Sequence, residues 1–249
     1  MNSMGPLRAL VTGGASGIGL ATAEELTRVG VSVAVLDRAD SGPDGFTFVS
    51  ADVTNDQQVR EAVAAAVSQL GGLDIVVNCA GIGAQGGIES NTDDEWHRVF
   101  DVNVVGIVRV CRAALPELVS SPAGAIVNVS SIVATIGLPD RVLYSATKGA
   151  VLSMTQAMAA DLVVHGIRVN AVNPGTVDTP WIARLLERAE DPAQERLALE
   201  KRQPHGRLVS ADEVARAIAY LASPSSGSTT GTYLAVDGGM QRLRTRPAP

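Results

Sequence analysis

"RALVTGGASGIG" (8–19) passes from a short apolar run into a glycine cluster and then, without a spacer, into residues with helical spacing. A chain that reverses between a strand and a helix in so few residues needs backbone conformations and close approaches that only glycine permits. Gly13, Gly17 and Gly19 supply them, with Ser16 and Ile18 between. A glycine turn at this place aims backbone N–H groups and a helix N-terminus at an anion, and a pyrophosphate is the anion this geometry suits. The next apolar run, "VSVAVLD" (31–37), ends on Asp37, about 20 residues further on, where an acid meets the ribose hydroxyls of a dinucleotide.

Working outward, apolar runs recur at 8–13, 31–37, 46–52, 73–81, 124–131, 167–175 and 231–239. They are continuous rather than alternating, which predicts strands covered on both faces. Helical segments lie between them, three opened by capping patterns: Thr54 with Gln57, Thr92 with Glu95, and Ser210 with Glu213. Strand–helix alternation with right-handed crossovers predicts an α/β fold, a doubly wound parallel seven-stranded sheet with helices on both faces. The whole chain, 1–249, is expected to form one domain. Its one long connection, 176–209, is read as a substrate-binding loop region.

Composition agrees with a large buried core: 46% of the 249 residues are hydrophobic and 18% charged. A net charge of −6 excludes the basic surface that nucleic acid requires. No apolar run reaches the ~18–20 residues of a membrane span, and "LRALVTGG" begins too early to leave room for a cleavable leader. The expectation is a cytoplasmic protein without membrane or nucleic-acid partners. Cys79 and Cys111, the only cysteines, lie in apolar runs and are read as core residues, with no metal site expected.

Chemistry is concentrated further along. In "LYSATKGAV" (143–151), Tyr144 and Lys148 stand four apart and so share one helix face. A free phenol titrates near 10, and an ammonium at ~4 Å supplies roughly the 4 kcal/mol needed to make it a base near neutrality. Ser131 ends a strand at the carboxyl edge of the sheet, where its hydroxyl can meet a substrate oxygen. Asn103, in "FDVNVVG", is a polar residue in an apolar helical stretch and needs hydrogen-bond partners there. Asp37 bears on cofactor choice. A carboxylate ~4 Å from a 2′-phosphate costs about 4 kcal/mol at an effective dielectric near 20, so NAD is favoured over NADP. Arg38 beside it partly offsets that repulsion.

Together these pieces resemble the short-chain dehydrogenase/reductase family over nearly the whole chain: TGxxxGxG at 12–19, Asp52–Val53, N-x-A-G at 78–81, Asn103, Ser131, YxxxK at 144–148, "NPG" at 173–175 and Thr179. One departure is Cys79, where the family usually has a second Asn. The resemblance implies a Rossmann-type fold and a catalytic set of Asn103, Ser131, Tyr144 and Lys148. Tyr144 would be the general acid/base, Lys148 would lower its pKa and hold the nicotinamide ribose, Ser131 would polarise the reacting oxygen, and Asn103 would hold a proton-relay water. Cofactor contacts are implied at Asp52 and Val53 for adenine, at Asn78, Ala80 and Gly81 on the nicotinamide side, and at Pro174, Gly175, Val177 and Thr179 near the carboxamide. A homotetramer through helices at 93–117 and 143–165 and the last strand is also implied.

The expected activity is NAD-dependent interconversion of a secondary alcohol, or a sugar hydroxyl, and its ketone. Val133, Ile136, Leu138 and Trp181, with Ser131 and Tyr144, would form the substrate pocket, while His205 and Arg184 could meet a polar substrate. "TPW" and "QPHGR" are similar to members that oxidise sugars, such as L-fucose dehydrogenases, and to some assigned to hydroxysteroids. The alternatives are a 3-oxoacyl-thioester reductase of the same family and a catalytically silent NAD-binding scaffold or sensor. Enoyl reductases of the family space Tyr and Lys more widely than 144 and 148.

Overall fold

The computed structural model of the chain describes residues 6–187 and 189–244. Seven parallel strands form the sheet: β1 (Arg8–Thr12), β2 (Ser32–Asp37), β3 (Thr47–Ser50), β4 (Ile75–Asn78), β5 (Ala125–Val129), β6 (Arg168–Pro174) and, last in sequence, β9 (Tyr233–Val236). Their spatial order is β3-β2-β1-β4-β5-β6-β9, so the direction of winding reverses between β1 and β4. In such sheets the crevice for a ligand opens at that reversal, beyond the carboxyl ends of the strands.

The period of two decides which helices cover which face. On one side Ala9, Val11, Val33, Val35, Val77 and Val127 pack against α1 (Gly17–Arg28) and α8 (Ala211–Ala222). On the other, Leu10, Ala34, Leu36, Val76 and Ile126 pack against α2 (Asp56–Leu70), α4 (Gly106–Ser120) and α5 (Val142–Leu162). The neighbours Ala9, Leu10 and Val11 are all fully buried, which explains why the strands read as unbroken apolar runs.

Two expectations are modified. The cap of α2 is Asn55, whose side chain accepts from Gln58 N, while Thr54 Oγ1 donates to Asp52 instead. Thr92 does cap α3 (Asp93–Phe100), and Ser210 forms the full capping box with Glu213. The helix expected over 93–117 is interrupted: a π-helical turn at Asp101–Val105 separates α3 from α4. Asn103 accounts for the interruption, because its amide accepts from Ile82 N at 2.8 Å and donates to Ile82 O at 2.9 Å, pulling the helix onto the loop after β4.

The 176–209 connection has structure of its own. Two-residue strands β7 (Val177–Asp178) and β8 (Val209–Ser210) pair in parallel and close its base. Between them α6 (Pro180–Leu186) and α7 (Pro192–Lys201), each with proline in its first turn, surround a small core of Ile182, Leu186, Leu199 and Leu208. Of the tail "RLRTRPAP" (242–249), residues 245–249 lie outside the described residues.

Candidate active site

The glycine turn takes the expected form. Gly13 and Gly17 have φ of +65° and +55°, conformations that a side chain disfavours. A Cβ on Gly13 would stand 2.8 Å from Ala80 Cα, so the loops after β1 and β4 approach too closely for any other residue. Thr12 Oγ1 fastens the same two loops by accepting from Cys79 N and Ala80 N at 3.2 and 3.1 Å. Ser16 sits at the N-cap of α1 with its hydroxyl making no cap hydrogen bond, and Ile18 and Gly19 turn inward onto the core. Asp37 is held over the turn, its Oδ2 accepting from Ala15 N at 3.1 Å. Arg38 is exposed and acts on Asp52, whose carboxyl is held below its usual range chiefly by the Thr54 hydrogen bonds. Val53 is buried against Gly106.

The second half of the crevice brings together residues from five elements. Gly81 follows β4, and a Cβ placed on it would be 3.3 Å from Asn103 Oδ1 and 3.5 Å from Lys148 Nζ. Lys148 is 5% exposed and its Nζ donates to Val129 O at 2.9 Å. That amine lies 5.6 Å from the centroid of the Tyr144 ring, so phenol and amine do share one face of α5. Ser131, at the N-cap of the short helical turn after β5, stands close enough to Tyr144 for its hydroxyl to favour the phenolate. Ser130 Oγ donates to Lys148 O and Thr147 Oγ1 to Tyr144 O, so neighbouring hydroxyls stiffen the helix turn that carries the pair.

The electrostatics differ from expectation. Burial pushes Tyr144 up, and the opposing influences are the Ser131 hydrogen bond and the charge of Arg141 rather than Lys148. Burial also pushes Lys148 down, to about 8. The ammonium lies over the ring face, 5.6 Å from its centroid, and for each group desolvation is the largest influence and disfavours the charged form.

Two side chains expected to act at the site are committed elsewhere. Asn78 is 2% exposed; its Nδ2 donates to Asn128 Oδ1 at 2.8 Å and to Cys111 Sγ at 3.3 Å, and Asn128 donates to Thr155. It is a cross-sheet tie, directed into the helix layer rather than towards a nicotinamide. Asn103 is fully buried and its amide is used by Ile82 and Thr147, so a relay water could be held only by backbone there. Cys79, read as core, is half-exposed beside the crevice, with burial raising its thiol to about 12; Cys111 is buried as expected.

Pro174 and Gly175 end β6, and Gly175 N donates to Val236 O. Val177 is buried in β7. The 176–209 segment then crosses both halves of the crevice: a Cβ on Gly17 would be 3.6 Å from Thr179 Cγ2, and one on Gly83 would be 2.7 Å from the Trp181 ring. Trp181 is 45% exposed, Leu138 is half-buried and Val133 is buried. His205 packs on Gly238, away from these residues, and Arg184 is exposed on α6. Sequence reasoning did not single out Thr12, Thr147 or Arg141. Thr12 alone carried a signal, as the first residue of the glycine motif.

A family model described as enoyl-(acyl carrier protein) reductase matches residues 13–241. The cis-4-hydroxycyclohexanecarboxylate dehydrogenase of Sinomonas cyclohexanicum is 39% identical over 242 residues, 93% of this chain and 95% of that protein. A 3-oxoacyl-[acyl-carrier-protein] reductase of Thermotoga maritima is 34% identical, with 93% and 96% covered. Among solved structures, the aldohexose dehydrogenase of Thermoplasma acidophilum superimposes with a TM-score of 0.92 at 34% identity, covering 98% of each chain.

Proposed function

The chain belongs to the short-chain dehydrogenase/reductase family, and on that premise we propose that this oxidoreductase interconverts a secondary alcohol or sugar hydroxyl and its ketone, using NAD(H) and Tyr144 as general acid/base. The observation that carries the proposal is the convergence of Ser131, Tyr144 and Lys148 at the carboxyl edge of the sheet, across one crevice from the glycine turn. The relatives carry names for a ring alcohol, an acyl thioester ketone and an aldohexose. All three are carbinol–carbonyl conversions.

A nicotinamide bound in this crevice supplies or accepts the hydride. The residues of the chain manage the proton. Ser131 holds the reacting oxygen beside the Tyr144 hydroxyl, and that hydroxyl donates its proton to a ketone or takes one from an alcohol. Burial keeps the phenol protonated, which suits reduction; the cationic ring of an oxidised cofactor would oppose that preference during oxidation. Lys148 remains largely charged at neutrality and is placed to hold ribose hydroxyls. Asn103 acts as a positioning residue through the π turn, and the 176–209 segment forms the substrate-binding region with Trp181 and Leu138. The same site could reduce a 3-oxoacyl thioester, as the Thermotoga relative's name suggests.

NAD preference rests on the fixed carboxylate of Asp37. Wild-type kcat/KM with NAD should exceed that with NADP by about tenfold or more, a modest share of the roughly 4 kcal/mol repulsion at ~4 Å. Asp37→Ser should close most of that gap. An equal or better rate of NADPH formation by the wild type, followed at 340 nm with a panel of secondary alcohols and sugars, would overturn the preference.

We further propose a cytoplasmic homotetramer. Apolar residues are distributed around α5, and Val142, Val163 and Val164 at its ends are exposed, as expected of a helix that a second copy covers. Among the described residues no helix is long and apolar enough to cross a membrane. Sedimentation at micromolar concentration should give four times the chain mass; a monomer would refute the assembly.

A further inference from the structure

Three residues before Tyr144, at the N-cap of α5, stands a guanidinium that the chemistry above leaves unused. Arg141 is half-buried, and its one side-chain hydrogen bond runs from Nη1 to the carbonyl of the adjacent Asp140, at 2.7 Å. No carboxylate among the described residues lies within ion-pair distance of it, whereas Arg8, Arg28, Arg60, Arg98, Arg109, Arg196 and Arg207 all have one. The chain's buried Arg168 also lacks an anion, yet its fork is filled by Leu221 O, Ala222 O, Ser223 O and Ser226 Oγ. Arg141 has no such set of acceptors. A guanidinium carries five donors in a planar fork, so most of this fork is uncommitted.

Its backbone is held firmly. Asp140 has φ +55°, the only non-glycine residue with positive φ among the described residues, a conformation costing about 1 kcal/mol or more. It is kept there by Gly86, whose N–H donates to Asp140 O and whose carbonyl accepts from Val142 N, with Gly86 and Arg141 in a parallel bridge. Strain of this kind persists where the surrounding structure imposes it, and it clusters at sites that do something. The charges that act on Arg141 come from its own loop and from the 176–209 segment: Arg202, at the end of α7, repels it, while Asp140, Tyr144 and Glu195 attract it. Arg141 is thus an incompletely paired cation close to Tyr144, in a chain whose net charge is −6.

We propose that Arg141 receives a carboxylate of the substrate, so that the alcohol and ketone served by this site are a small hydroxy acid and the matching oxo acid. The inference rests on the oxidoreductase reading of the same site and adds the substrate class to it. A planar guanidinium fork pairs bidentately with a carboxylate, and Arg141 stands at the N-cap of α5 near enough for its charge to act on the Tyr144 phenol, which puts that pair beside it. The substrate must then be short enough to touch Arg141 and Tyr144 at once. Trp181, against Gly83 in the loop after β4, offers the body of the molecule an apolar surface.

The test gives the enzyme NAD and a panel of α-, β- and γ-hydroxy acids, each beside its methyl ester. For at least one pair, kcat/KM for the acid should exceed that for the ester by about tenfold or more. Arg141→Gln should lower the acid's kcat/KM by roughly ten- to hundredfold, the range of one charge-assisted pair, chiefly through KM. The ester's KM and the KM for NAD should stay as in the wild type, any loss of kcat from removing the charge that favours the Tyr144 phenolate being shared by acid and ester, and Arg141→Lys should fall between. Butyrate added with NADH should raise the Tm of the wild type but not that of Arg141→Gln, a reading independent of turnover.

Equal losses on acid and ester, reproduced by Glu195→Gln, would show that Arg141 only anchors α7 and would overturn the proposal. So would a wild type that uses esters as well as acids. If no acid, ester, other secondary alcohol or sugar reduced NAD, the oxidoreductase reading itself would fail and this inference with it.

Discussion

Tyr144→Phe should lower kcat/KM by roughly 10²–10⁴-fold, the contribution of a positioned proton donor, while leaving the fold intact. The ring packs beside Ala84, Val99 and Leu143 and lies under Lys148 Nζ, and phenylalanine preserves both arrangements. What disappears is the hydroxyl beside Ser131. NADH formation with the best substrate and the circular dichroism spectrum should be measured on one preparation. Because burial holds the wild-type phenol above its ordinary range, oxidation should speed up as pH rises through the alkaline range and reduction should slow. A Phe variant with wild-type turnover would refute the assignment of the acid/base.

Lys148→Met should abolish most activity and at the same time stabilise the protein near neutral pH. The amine is 5% exposed with one acceptor, Val129 O, and burial brings its pKa from 10.5 to about 8. That displacement corresponds to about 3 kcal/mol of penalty for burying the cation. Methionine removes the penalty and leaves the Val129 carbonyl without its donor, a loss of about 1 kcal/mol. The balance of about 2 kcal/mol should raise Tm by roughly 4–8 °C in a chain of this size.

The sign follows from proton uptake. Below pH 8 the lysine is charged both folded and unfolded, so the penalty is fully present. Between about 8 and 10.5 the unfolded chain still holds a proton that the folded chain has released. Wild-type stability therefore rises with pH over that window, and the advantage of methionine shrinks until it vanishes above it. Calorimetry at about pH 7 and about pH 10 distinguishes this from a structural role, for which the variant would be less stable at both.

The fold was readable because its signals are local and redundant. Seven strands lie within the seven apolar runs, and the glycine turn has the positive φ angles its composition implied. The pairing of Tyr144 with Lys148 followed from helical spacing alone. The tie from Asn78 to Asn128 was not legible because it depends on the register of two chain segments 50 residues apart. The π turn escaped for a similar reason: Asn103 reaches 21 residues back to Ile82 to create it.

What the sequence by itself determined is the architecture and the chemical type of the site, since turn geometry, strand burial and a four-residue helical step depend on neighbours along the chain. Only the tertiary structure decided how strongly each group is desolvated and which charges it faces. Lys148 and Tyr144 are both driven towards neutrality by the layers packed around them, and Arg141 makes no ion pair although the 176–209 segment brings both Glu195 and Arg202 towards it. Protonation and recognition depend on charges and water over all directions, a sum taken over residues that the fold, rather than the order of the chain, makes adjacent.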